Sequence, residues 1–378
     1  MSKIYLPTSE QMDTTIGNLE RIAGALGSKT DVSTWAGVQR AVKSGVAQRL
    51  FPVGTRFTVP HSVYGNIVFD VVAHNHFKSA HDENAHTMTL MAHDQIDAMP
   101  FDSAEAFYYA SGGLEAGTYN FTLGESFQNW TAGTYQFTLT KEVPYYGQLC
   151  ISGDASAAIT ESQMVVYASQ TATEASESVA ISAGNGGTSI DSLTYWSTNH
   201  IHRVSNGSNN YRDSSIRQFL NSTAEAGKVW IPMTKYDRPP NWVTAKAGFA
   251  NGLDDEFLSI VGEVIVPCSE NDLYEDRFVY GSKGEKYTVV DKFYLASQKE
   301  LFGTAANTVD DGSVVFKYYE GAANTDRIKN RDGSPALWWT RTPNQWDAYI
   351  VRIVHKDGSV SNGTSKYNVG CVPVCTIV

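Results

Sequence analysis

The chain changes hydrophobic period near residue 50. Before that point apolar residues recur at helical spacing: Ile16, Leu19, Ile22, Ala23 and Leu26 mark a helix over residues 14–26 that stops at Gly27. A second helix opens at Asp31 or Ser33, both good N-caps, carries Trp35, Val38, Ala41 and Val42, and ends near Gly45. Helices this short are marginal alone in water, so their apolar stripes must pack on something, either the chain's own body or a partner. From Phe51 the period is two. Residues 55–59 and 66–73 read as strands around a turn at Tyr64-Gly65-Asn66, and residues 87–91 as another strand.

A short duplication follows. AGTYNFTL at 116–123 recurs as AGTYQFTL at 132–139. The spacing is too short for a solenoid and fits two neighbouring strands of one antiparallel sheet. Residues 106–187 thus read as an all-β insert, closing in a Ser-, Thr-, Ala- and Gly-rich stretch around Val179-Ala180-Ile181. The second half is mixed. A helix over 213–221 has Ile216, Phe219 and Leu220 on one face, and another over 253–261 starts with Asp254, Asp255 and Glu256, where negative charge suits a helix N-terminus. A strand over 287–295 precedes a capping box, Ser297 to Glu300, that opens a short helix. The tail is a hairpin turning at Lys356-Asp357-Gly358-Ser359, then a final strand over 371–378. Strands and a few helices with little βαβ alternation define an α+β fold. The expected organisation is a helical attachment or oligomerisation segment at 1–49, a body built from 50–105 and 188–378, and the insert at 106–187.

Composition narrows the function classes. Hydrophobic residues make up 42% and charged ones 18%, the mark of a globular chain. A formal charge of -11 with no Lys/Arg-rich run argues against nucleic acid as the partner. No run of about 18 apolar residues exists, so no membrane insertion is expected. The first residues lack a charged region followed by an apolar one, which points to synthesis in the cytoplasm without a signal peptide. Cys150, Cys268, Cys371 and Cys375 show no zinc spacing and read as buried free thiols; in one strand Cys371 and Cys375 would share a face ~13 Å apart, beyond bridging distance.

The tail from Ala336 to Val378 has two kinds of residue. Trp338, Trp339, Ile353 and Val354 belong in a buried sheet, whereas Asn344, Asp347, Asp357, Ser359, Ser361, Asn362, Thr364 and Tyr367 are the small polar and aromatic types that binding loops use. Taken in order, the strand pair at 51–73, DSSIRQFLN at 213–221, DKFYLASQKELFG at 291–303, ALWWTR at 336–341 and GCVPVCTIV at 370–378 resemble the C-type lectin-fold variable proteins of diversity-generating retroelements in phages and gut bacteria. DVSTWAGVQRAVKSG followed by FPVGTRFTVP resembles the front of phage tail-associated members.

The resemblance implies a C-type lectin-like fold with the β insert and the N-terminal helical segment added. It implies a receptor-binding protein of the virion, whose partners are a host cell-surface protein or glycan and other phage tail proteins, and a homo-oligomer, a trimer by analogy. In that family the varied positions derive from Asn codons mutated at adenines, which yield residues such as Asn, Asp, Ser, Tyr, His, Thr, Ile and Gly but not Lys, Trp or Gln. The matching candidates are Asn344, Asp347, Tyr349, Ile350, His355, Asp357, Ser359, Ser361, Asn362, Gly363, Thr364 and Tyr367. Trp338, Trp339, Trp346 and Lys366 are then scaffold or fixed contacts.

Other chemistry is thinner. His74 and His76 would share a strand face and offer two legs of a zinc site, but no tightly spaced third ligand completes it, so a polar strand edge is the plainer reading and no metal is expected. Thr342-Pro343-Asn344 and Gln345-Trp346-Asp347 echo the calcium loop of lectins, with Thr342 where the essential carboxylate or amide belongs; no calcium and no other cofactor is expected. Hydrolase and phosphate-loop motifs are absent. A structural tail or baseplate protein is the second reading. A third is an enzyme of the formylglycine-generating type, which shares the fold and uses cysteines, here Cys371 and Cys375.

Overall fold

The computed structural model describes residues 32–103, 108–110, 113–123, 133–145, 147–152, 163–167, 176–190, 207–231, 240–270, 285–345 and 349–378. The helix expected over 14–26, and Trp346 and Asp347, lie outside these residues.

The second expected helix is α1 (Trp35–Lys43). Its cap is Thr34, which accepts from Gly37 N at 3.2 Å, rather than Asp31 or Ser33. Val38, Ala41 and Val42 are buried, and the Trp35 ring meets Phe57 and Phe257 at 5.6 and 4.9 Å. This stripe therefore packs on the chain's own body. One further turn, α2 (Ala47–Leu50), leads into the strands.

Period-two sequence becomes sheet much as expected. β1 (Arg56–His61) and β2 (Gly65–His74) form a hairpin in which Arg56 faces Asp70 and His61 faces Gly65. β3 (Lys78–Ser79), β4 (Met88–Ala92) and β5 (Asp97–Met99) follow. β2 ends at His74, whose Nε2 lies 2.9 Å from Phe51 O, while His76 beyond the strand lies 3.8 Å from Glu300. The two histidines thus serve different neighbours. Among the described residues no three His, Cys, Asp or Glu side chains are grouped to hold a metal.

The next strands are β6 (Tyr108–Ala110), β7 (Gly117–Leu123), β8 (Gly133–Leu139), β9 (Gly147–Ser152), β10 (Gln163–Tyr167), β11 (Glu177–Ala183) and β12 (Thr188–Ser189). They make one sheet in the order β12-β7-β8-β11-β10-β9-β6, with an apolar cluster of its own that includes Phe121, Tyr135, Phe137 and Ile181. The duplicated strands β7 and β8 pair antiparallel, Gly117 opposite Leu139 and Leu123 opposite Gly133.

The second half returns to the first core. α3 (Ser215–Asn221) is capped by Ser214 and α4 (Asp255–Ile260) by Asp254, whose carboxylate accepts from Phe257 N. β13 (Val264–Ser269) pairs with β14 (Lys286–Asp291). The strand expected over 287–295 is interrupted. Lys292 N and Phe293 N both donate to Asn221 Oδ1 at 3.0 Å, and β15 (Phe293–Tyr294) joins a different sheet. α5 (Gln298–Phe302) carries the full capping box between Ser297 and Glu300. After β16 (Asn330–Arg331) and β17 (Ser334–Pro335) come β18 (Trp338–Pro343), β19 (Ile350–Val354), β20 (Val360–Thr364), β21 (Val369–Cys371) and β22 (Val374–Ile377).

Two five-stranded sheets share the main core, β1-β2-β4-β22-β15 and β20-β19-β18-β21-β5. The single strand expected over 371–378 is two. The chain leaves one sheet after Cys371 and enters the other at Val374, with Pro373, which has no N–H for a ladder, at the crossing. Cys371 and Cys375 therefore sit in different sheets rather than on one strand face; both are buried free thiols, as is Cys268. The fold is mixed α and β and dominated by strands.

One buried group strains this core. Lys329 is 4% exposed, and its Nζ donates to Ala92 O at 2.9 Å with no carboxylate paired to it among the described residues. Burial pushes its ammonium down from 10.5 to about 8, against the pull of Asp70 and Asp94. A folded value below the unfolded one penalises the fold wherever the amine is charged; the penalty is full below pH 8 and gone above 10.5. Lys329→Met should raise unfolding stability at pH 7 by about 2 kcal/mol, after loss of the Ala92 bond. In denaturant titrations the gain should fade toward pH 10.5.

Candidate functional site

The C-terminal sheet is built on β18, whose six residues are all buried. Trp338 Nε1 donates to Arg327 O at 3.1 Å, and Trp339 Nε1 to Met99 O at 2.8 Å. Arg341 is 1% exposed and spends its guanidinium on Pro267 O, Leu295 O, Ser313 Oγ and both oxygens of Glu300, at 2.7 and 2.5 Å. Glu300 is the acid of the α5 capping box and accepts from Ser297 N at 2.8 Å. The box and the tail strand are one buried unit. Burial alone would raise the Glu300 carboxyl; the Arg341 guanidinium overrides it and holds the group down at about 2.

Outside β18 lies the β19–β20 hairpin, with β20 at the sheet edge. Its register is Ile350↔Thr364, Arg352↔Asn362 and Val354↔Val360, alternating with Val351↔Gly363 and Ile353↔Ser361. Paired residues point to one side and neighbours to opposite sides, so the hairpin divides the expected residues between two faces. Ile350, Asn362 and Thr364 share one face. Ser361 and Gly363 belong to the other, with buried Val351, Ile353 and Trp339. A Cβ on Gly363 would stand 2.9 Å from the Trp339 ring, so Gly363 is a packing position and not a variable contact.

The remaining expected residues fall at the two ends. At the turn, Asp357 Oδ1 accepts from Ser359 N at 2.9 Å and Ser359 Oγ at 2.6 Å, and His355 Nδ1 lies 3.1 Å away. These bonds push the Asp357 carboxyl down to about 2. Asp357, Ser359 and His355 staple the turn, with the Asp357 side chain still exposed. Gly358, at φ 80°, brings the tip against the 3-10 turn Asn324–Arg327. At the other end Tyr349 and Ile350 are half-buried, and Tyr367 is exposed, its N–H bonded to Thr364 O at 2.9 Å. Asn344 is 4% exposed: its N–H donates to Ile350 O at 2.8 Å and its amide reaches Asn362 Oδ1 at 3.5 Å. It positions the hairpin from behind. Asp347 lies outside the described residues.

Arg352 is the residue that sequence reasoning passed over. It is 4% exposed, yet its Nε donates to Gln298 Oε1 at 2.8 Å and its Nη1 to Asn362 Oδ1, both neutral amides. Burial lowers its pKa. The available signal was a single cation inside the apolar run Ile350-Val351-Arg352-Ile353-Val354.

Fold and surface together define a strand-dominated α+β protein with a stiffly backed C-terminal hairpin at a sheet edge. The chain belongs to the DUF6273 family, a domain of unknown function, whose match runs over residues 175–378, more than half of its length. Comparison with the curated proteins and with the solved structures returns no match.

Proposed function

We propose that this chain is a receptor-binding protein of a phage virion, presenting the β19–β20 hairpin on a C-type lectin-like scaffold. The observation that carries the reading is a contrast along the tail. Trp338, Trp339 and Arg341 are fully buried and hydrogen-bonded, while Asn362 and Tyr367, two strands later in the tail, stand exposed on an edge strand and the turn after it. A rigid base under small polar and aromatic side chains suits recognition, because little order is lost on binding. In this proposal the segment ahead of α1 attaches or oligomerises, since α1 itself packs on the body; the β6–β12 sheet spaces the body, and copies on one particle multiply a weak single contact. The partner is a host cell-surface protein or glycan. An enzyme of the formylglycine-generating type is disfavoured by the burial of Cys371 and Cys375, which pushes both thiols up and away from the reactive thiolate.

The test is nucleotide sequencing of this gene across sister genomes. Substitutions are expected to cluster at adenines in the codons of Tyr349, Ile350, Asn362, Thr364 and Tyr367, with Gly358, Gly363 and Arg352 constant. A window from 344 to 367 as quiet as the rest of the gene overturns diversification and leaves a fixed tail protein.

A further inference from the structure

Arg352 is a buried cation whose partners are all neutral. Three other arginines are matched: Arg341 has Glu300 and Asp311, Arg217 has Asp291 at 2.8 Å, and Arg56 has Asp70 at 3.0 Å; buried Arg327 is held instead by the carbonyls of Leu301, Ala322 and Ala323 and by the Phe302 and Tyr319 rings. Among the described residues no carboxylate pairs with Arg352. A charge taken out of water without a counter-charge is costly, and the cost is recovered when an anion arrives. The site is also rich in donors. Asn362 Oδ1 and Gln298 Oε1 are committed to the guanidinium, and Gln298 Nε2 donates to Ala306 O at 3.0 Å. That leaves Arg352 Nη2 and Asn362 Nδ2 without an acceptor among the described residues, and Arg352 Nη2 is not sealed from solvent. Thr364 stands two residues along the same face, about 7 Å away, and Tyr367 follows at its end.

We propose that the Arg352, Asn362 and Thr364 face binds the carboxylate of an acidic sugar. The carboxylate takes Arg352 Nη2 and Asn362 Nδ2, the ring hydroxyls take Thr364, and Tyr367 offers an aromatic face. The Thr364 hydroxyl along the face and the Tyr367 ring beyond it, with Lys366 Nζ 5.9 Å from the ring centre, favour a sugar acid over an acidic peptide, which needs the cation alone. The inference deepens the receptor-binding reading and rests on it for the choice of surface.

Titration of the full chain, followed by NMR, with glucuronate and N-acetylneuraminate, against their methyl esters and against N-acetylglutamate, decides it. The acids should bind roughly tenfold tighter than the esters, and added salt should weaken them. Arg352→Met should abolish this preference. Because Arg352→Met also leaves Gln298 unpaired, Arg352→Lys is the control for folding: it keeps the charge, loses the fork, and should retain only part of the preference. Equal binding of acid and ester, no sugar binding, or tighter binding of N-acetylglutamate each overturns the inference. Host-cell binding measured in parallel on the wild type and Tyr367→Ala separates the two readings. Cell binding lost in Tyr367→Ala with no acid preference keeps the receptor-binding reading and sinks this one; acid preference without cell binding does the reverse.

Discussion

Arg341→Met should cost about 3 to 5 kcal/mol of stability, the largest loss from any single exchange in the tail. The cost comes less from the bonds lost than from what stays behind. Glu300 would keep its place in the α5 cap, fully buried, with Ser297 N and His76 but without the guanidinium that now holds its carboxyl down at about 2. The pH dependence carries the sign. In the wild type the folded pKa lies below the usual 4.5, so the pair's contribution is complete above pH 4.5 and disappears as pH falls toward 2. In Arg341→Met the orphaned carboxyl binds its proton more tightly folded than unfolded, so stability should rise on acidification from pH 7 toward 5. Asp291 and Asp311, both raised by burial and both partly held down by Arg341, lose that restraint in the variant and add to the same rise on acidification. Denaturant midpoints at pH 7, 5 and 3 would check this. A double exchange, Glu300→Leu with Arg341→Met, should be milder than Arg341→Met alone; a larger loss would mean the pair stabilises the fold outright.

Gly358→Ala should be the second largest, at about 3 kcal/mol. Two independent penalties meet there. The backbone at φ 80° is left-handed, which costs an L-residue about 1 to 2 kcal/mol. An added Cβ would also stand 1.7 Å from Asn324 O, a backbone atom that cannot rotate aside. The tip must lift off Asn324–Arg327, and with it goes the staple of Asp357 and Ser359. Thermal melting with Gly65→Ala as the comparison isolates the second penalty. Gly65 has φ 68° but nothing within 4 Å of its would-be Cβ, so it should lose only the backbone cost.

Local rules carried far in the reading of this chain, and long-range ones did not. The Ser297 and Glu300 box, the acidic start of the helix at Asp254 and the turn at 356–359 were legible because each is settled within a few residues. That Glu300 also answers Arg341 was not, since the partner lies 41 residues on. The strands expected over 287–295 and 371–378 were read as continuous because composition does not reveal a change of sheet; Asn221 breaks the first and the crossing at Pro373 the second. Which tail residues stand exposed was half legible. Residue type picked out Asn362, Thr364 and Tyr367. It also took in Gly363 and Asn344, which serve packing and the support beneath, and Asp357, which bonds the turn while its side chain stays exposed. The period of two in 360–364 already separated Gly363 from Asn362 and had gone unused.

The duplicated strands have a consequence for how molecules find their own partners. β7 and β8 are identical over GTY and FTL and differ only at Asn120 and Gln136. Their hydroxyls match too, Thr118 with Thr138 at 2.9 Å and Thr122 with Thr134 at 3.2 Å. A strand this similar to its neighbour accepts the same register from another copy, so exchange between two nascent chains competes with the intramolecular hairpin. The one differing position tells β7 from β8, not one copy from another. Asn120 Nδ2 donates toward the carbonyls of Asn185, Gly186 and Gly187, and Gln136 Oε1 accepts from Gly186 N at 2.8 Å. Each amide answers the same loop, so the order of the two strands, though not which copy supplies them, rests on a single methylene.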